Sequence, residues 1–175
     1  MRTTIHFLTV PALVAGATCP AWAETYLSVE QAQQAIFPQA RLQKLALQLT
    51  PDQRKAIEKA AGVKVRAVKL AVWKVDGGGW FLVDDVIGKH EFITYAIGLN
   101  DDGSVKQIEV LDYRENYGRE VRQAEWRGQF AGKKHGASLK LDDDIKSISG
   151  ATLSCRHITE GVRRLLATYE LVLRK

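Results

Sequence analysis

Between Val63 and Tyr113 the chain changes its hydrophobic period, and this limits the possible folds more than any other feature. Val63 to Val75 is rich in β-branched residues and is predicted to be a strand. The turn Asp76-Gly77-Gly78-Gly79 follows, then the apolar strand Trp80-Phe81-Leu82-Val83. Glu91 to Leu99 alternates, placing Ile93, Tyr95, Ile97 and Leu99 on one face. Asn100-Asp101-Asp102-Gly103 is a turn, and Val105 to Tyr113 is the next strand. Four strands with short connections favour antiparallel pairing.

Helical signals flank this block. Ser28-Val29-Glu30-Gln31 reads as a capping box, and the helix it opens ends at Pro38. Thr50-Pro51 opens a second helix, and Gly62 suits its C-terminal cap. A helix is expected from near Gly118 to Gly132, with Val121, Trp126 and Phe130 as its apolar side. Leu139 to Leu141 is expected as a short edge strand. From about Leu153 to Leu173, the residues Ile158, Val162, Leu165, Leu166, Tyr169 and Leu173 recur at helical spacing. The order predicts an α+β fold, with a twisted antiparallel sheet packed by helices.

Residues 1–23 read as a secretory signal peptide. Arg2 is the only charge before Glu24, Phe7 to Ala17 is apolar except for Thr9 and Pro11, and Ala21-Trp22-Ala23 offers a cleavage site. The apolar stretch is shorter than the ~20 residues of a membrane span. The expected location is therefore periplasmic or otherwise extracytoplasmic, with residues 24–175 as a single domain. Losing the signal removes one Arg and no acid, leaving 24 Lys and Arg against 20 Asp and Glu. The cations are spread along the chain without a basic, aromatic-interleaved patch, which argues against nucleic acid. A mild positive charge suits docking to an acidic redox partner. Cys155 is then the only cysteine, so no internal disulfide is possible. It is read as a small buried residue rather than a redox thiol.

Ser149-Gly150-Ala151-Thr152-Leu153-Ser154 stands directly before the last helix. Small residues let a ligand approach the backbone. A helix start offers unpaired N–H groups and the positive end of a dipole, and both favour phosphate. The same residues also suit a glycine turn closed by a Thr or Ser cap, and physics alone leaves both readings open.

Ile148 to Leu166, ISGATLSCRHITEGVRRLL, resembles the signature of the FMN-binding domain family. Glu115-Asn116-Tyr117-Gly118 and Gln129-Phe130-Ala131-Gly132-Lys133 extend the resemblance. That family includes the flavin-carrying subunits of the sodium-pumping NADH:quinone reductase and of the Rnf complex, and small exported proteins. The resemblance implies FMN esterified to Thr152 by a separate flavin transferase that uses FAD. It also implies electron transfer to or from a membrane-bound redox protein or complex. The implied cofactor-binding residues are Thr152, Ser149, Gly150, Ala151, Leu153, Ser154, Glu115, Tyr117 and Gly118. Glu115 is placed by the isoalloxazine or as a shaper of its pocket, Tyr117, Trp126 and Phe130 as flavin neighbours or core, and Lys133 as a phosphate partner or a solvated cation. In one respect the chain departs from the family. The position six before the modified Thr, often an acid, is Lys146, and the nearest acid is Asp144; non-covalent FMN at the same place is the alternative. A non-redox binding module and a small flavin-dependent reductase are the other readings. No nicotinamide site is legible, so a carrier or subunit is expected rather than a self-sufficient enzyme.

Overall fold

The computed structural model describes residues 26–174; the signal-peptide reading falls on 1–23, outside them. Helix α1 (Val29–Ile36) opens with the expected capping box, in which Ser28 Oγ accepts from Gln31 N and Gln31 Oε1 accepts from Ser28 N. Helix α2 (Pro51–Ala61) repeats the device with Thr50 and Gln53 and closes on Gly62 in the left-handed region. Five strands follow one another in space as in sequence: β1 (Leu42–Gln48), β2 (Lys69–Val75), β3 (Trp80–Ile87), β4 (Phe92–Leu99) and β5 (Val105–Tyr113). All neighbours are antiparallel, as adjacent strands with short turns require.

Because strand side chains alternate, the sheet serves two cores. On one face Phe81, Ala96 and Leu111 meet Ala32, Ile36 and Phe37 of α1 and its C-terminal end. On the other, Leu82, Ile93, Tyr95, Ile97 and Ile108 pack under α4 (Thr152–Thr168) through Ile158, Val162, Leu165 and Leu166. Burying each such side chain contributes about 1.5–3 kcal/mol. Ile57 and Ala61 of α2 close a smaller cluster against Ala167. The chain is thus an α+β fold, a five-stranded antiparallel meander with helices on both faces. No helix among the described residues is long and apolar enough to cross a membrane.

Four expectations need correction. Leu42–Gln48, left unassigned above, is a full strand paired along β2 from Leu42↔Val75 to Gln48↔Lys69. The strand expected from Val63 begins only at Lys69, because Val63 and Val65 turn into the α2 cluster. The helix expected from Gly118 to Gly132 breaks into a 3-10 turn (Arg119–Arg122) and the short α3 (Ala124–Gly128), because Gln123 between them is extended. Leu139 to Leu141 forms no strand. Leu139 and Asp142 take positive φ, which strand pairing cannot use, and only an isolated Leu141–Ile145 bridge remains.

Candidate functional site

Helix α4 begins at Thr152 with Ala151 as its N-cap, and no side chain caps it. The cap reading of Thr152 and Ser154 therefore does not hold. The first intrahelical acceptor is used by Cys155, whose N–H reaches Ala151 O at 2.9 Å. The N–H groups of Thr152, Leu153 and Ser154 precede it and have no acceptor within the helix. Over 17 residues the peptide dipoles align behind them. Thr152 is exposed, and its hydroxyl makes no hydrogen bond among the described residues. Gly150, at φ +83°, turns the chain into the helix from a position with open space around it.

These residues form one wall of a cavity of about 440 Å³. Gly150, Ala151, Thr152, Leu153 and Ser154 face Glu115, Asn116 and Tyr117 across it, and Lys89 and His90 at the β3–β4 hairpin tip complete it. Ser149 is exposed but does not line the cavity. Gly118 is buried behind it. A Cβ there would stand 2.6 Å from Tyr113 Oη and 2.7 Å from Ala151 Cβ, and its φ is +90°. Only glycine lets the 115–118 segment lie this close to the start of α4.

Tyr113 joins the two walls. Its hydroxyl donates to Tyr117 O at 2.5 Å and lies 3.0 Å from Ser154 Oγ. Burial pushes this phenol upward, and the Ser154 bond only partly offsets that, so it stays neutral at ordinary pH. Glu115 is 7% exposed and accepts from His90 N at 2.5 Å and Glu91 N at 3.0 Å. Burial works against its charge, but the backbone N–H groups of His90, Glu91 and Lys89 hold it below the usual carboxylate range. Glu115 therefore shapes the pocket by fixing the hairpin tip.

Tyr117 is 81% exposed at the cavity mouth, free to cover a planar ligand. Trp126 and Phe130 are buried in an edge contact at 5.2 Å between centroids and belong to the core. Lys133 is paired with Asp144 at 3.0 Å, away from the cavity. Cys155 is fully buried, and burial raises its thiol pKa, as a packing role requires. Lys89 and Tyr113 had not been singled out in the sequence, His90 had been read as an ordinary polar residue, and Asn116 entered only within the Glu115-Asn116-Tyr117-Gly118 segment. The sequence reading left Lys89 and His90 in the short connection between two strands, and nothing local brings that connection to α4.

A larger cleft of about 580 Å³ lies beyond the hairpin. It is lined by Val86, Phe92, His157, Glu160 and Arg164 among others, and holds none of the SGATLS segment. The smaller cavity carries the chemistry: an exposed hydroxyl, free helix-start amides and an amphipathic recess. This is an α+β domain built to hold a phosphorylated planar cofactor. Residues 88–167 match the family model of the FMN-binding domain, from the hairpin tip through nearly all of α4. The match assigns an FMN-binding domain to these residues and supports FMN as the cofactor. No curated protein matches the chain. The residues fit the group: the amides at the α4 start would hold the phosphate, and Tyr117 and Leu153 would border the ring. When bound, FMN supplies one- and two-electron redox chemistry, and the protein supplies position and electrostatics.

Proposed function

We propose that this protein is an extracytoplasmic electron carrier whose FMN is tethered through a phosphoester to Thr152. One observation carries the reading: the Thr152 hydroxyl is exposed and uncommitted at an uncapped helix start, beside a cavity suited to a flavin. The expected maturation needs a flavin transferase and FAD. The Thr152 Oγ–phosphorus bond forms, the pyrophosphate bond of FAD breaks, AMP leaves, and the hydroxyl proton goes to solvent. The helix-start amides favour the phosphate that remains. A tether also keeps the cofactor where no free flavin pool is assured. Electrons would pass to or from a membrane-bound redox protein or complex, and the exposed Tyr117 and Leu153 leave the cavity mouth accessible to one.

The test is the intact mass of the denatured protein after co-expression with a flavin transferase, export retained. Wild type is expected to gain one FMN less one water, and Thr152→Ala to gain nothing. Flavin that leaves on denaturation would keep the cofactor and remove the tether. Wild type with no flavin before or after denaturation would remove the whole reading.

A further inference from the structure

Several polar groups around the cavity beside Thr152 are already committed. Tyr113 has one hydroxyl proton and gives it to Tyr117 O, so across the 3.0 Å contact Ser154 Oγ is the donor and Tyr113 Oη the acceptor. Both groups are neutral, and the Ser154 proton is spent on Tyr113. Glu115 keeps its charge, but its Oε1 accepts from His90 N at 2.5 Å and Glu91 N at 3.0 Å, and the Lys89 N–H adds to them. Backbone amides of the hairpin tip thus take up that negative charge.

Lys89 stands at the same tip and is the exception. It lines the cavity together with Thr152, Tyr117 and Ser154. Its side chain is exposed, with no hydrogen bond or ion pair among the described residues. Its backbone is fixed, because Gly88 N–H bonds Glu91 O at 2.8 Å across the turn and Glu115 holds the amides that follow. Lys133, the lysine that the sequence offered to a phosphate, pairs with Asp144 away from the cavity. The cavity therefore carries one uncompensated lysine charge. It sits on a different element from the α4 start, whose amides favour the phosphate.

A cation beside a redox group favours whichever form is more negative. Two electrons from the redox partner and one proton from solvent leave a flavin ring with one more negative charge than before. The phosphate charge does not change in that step. We propose, resting on FMN in this cavity, that Lys89 sets the reduction potential of the flavin: its ammonium faces the ring, favours the reduced form and raises the potential.

The experiment is a potentiometric titration of the full chain, loaded with FMN by a co-expressed flavin transferase. Because the Lys89 side chain is solvated, its variants should keep the wild-type melting temperature, and this is checked in parallel. Lys89→Arg should keep the wild-type potential. Lys89→Gln should lower the ratio of reduced to oxidised flavin at a fixed potential roughly tenfold, which is about 30 mV in a two-electron couple. Lys89→Glu should lower it further. Lys55→Gln, the same change of net charge on the exposed face of α2, should leave the potential where it is. Added salt should shrink the gap between wild type and Lys89→Gln. Lys89→Gln and Lys89→Glu at the wild-type potential would overturn the proposal while leaving the flavin in place, since a lysine that held only the phosphate would give that result. A shift as large in Lys55→Gln would also overturn it, by making net charge the cause. Wild type that takes up no flavin would remove the reading beneath it, and does so before any variant is compared.

Discussion

The carboxylate of Glu115 shows how one residue fixes a loop it does not belong to. It reaches across from the end of β5 to the hairpin tip, and Gly88 opposite it has no room for a side chain: a Cβ there would stand 2.5 Å from Glu115 Oε1. Charge-assisted bonds of this kind contribute about 1.5–3 kcal/mol each, less where water can replace the partner. Glu115→Gln is expected to destabilise the fold by about 1–2 kcal/mol at neutral pH. The folded-state pKa of Glu115 is depressed, so its contribution is fully present above the unfolded value of about 4.3 and is lost as pH falls through the folded value. Urea unfolding of wild type and Glu115→Gln should therefore differ at pH 7 and converge in acid below pH 4. A difference that persists unchanged into acid would mean that shape, and not charge, fixes the tip. The role was half legible in the sequence. The ENYG segment pointed to the pocket, but the partner amides stand 24 and 25 residues away and leave no local mark.

Among elements, the legible ones carry their own chemistry. The Ser28–Gln31 capping box, the Thr50-Pro51 start and Gly62 cap of α2 and the apolar stripe of α4 are local, and all appear in the structure. Strand β1 was not legible because Leu-Gln-Lys-Leu-Ala-Leu-Gln contains no β-branched residue and consists of good helix formers. Pairing with β2 imposes its conformation. The attachment of α4 was equally hidden. Beneath its middle, Arg164 makes an ion pair with the buried Asp84 of β3, and Tyr95 Oη donates to the same carboxylate at 3.2 Å. Gly161 permits this approach, since a Cβ there would lie 2.5 Å from Tyr95 Oη. Removing one partner of a buried pair strands the other charge, whereas removing both can be nearly neutral. Arg164→Met should destabilise by about 3–5 kcal/mol, and Asp84→Leu with Arg164→Met by much less. Chemical denaturation of the two variants checks this. A double variant as unstable as the single one would show that packing around Tyr95, and not charge, holds α4 to the sheet.

At the scale of the molecule, the site lies where regular structure stops. Its walls are the Gly88–Glu91 tip, the 115–118 segment and the 146–151 approach to α4, and each is tied down by a few side-chain bonds. The sheet beneath is protected differently at its two edges. The outer edge of β5 is covered: Leu111 O accepts from Tyr26 N and Leu27 N, and Val105 exchanges bonds with Gly132 and Lys133. The outer edge of β1 carries exposed Gln43, Lys44 and Gln48, polar residues that discourage further pairing. Local opening should therefore be cheapest at the site loops and at β1, and dearest in β4 and the middle of α4, where side chains are fully buried. Amide hydrogen exchange should show that order in the flavin-free protein. With FMN in place, protection should rise at Lys89–Glu91, Asn116–Gly118 and Thr152–Ser154, and stay unchanged at β1 and α2. Such a pattern would locate the ring in the cavity beside Thr152. A rise centred on Val63–Ala67 and Phe92 would instead put the ring in the larger neighbouring cleft, with Thr152 at the end of a longer reach past the hairpin. Both cavities border the same hairpin, so this comparison also decides which of its faces the flavin uses.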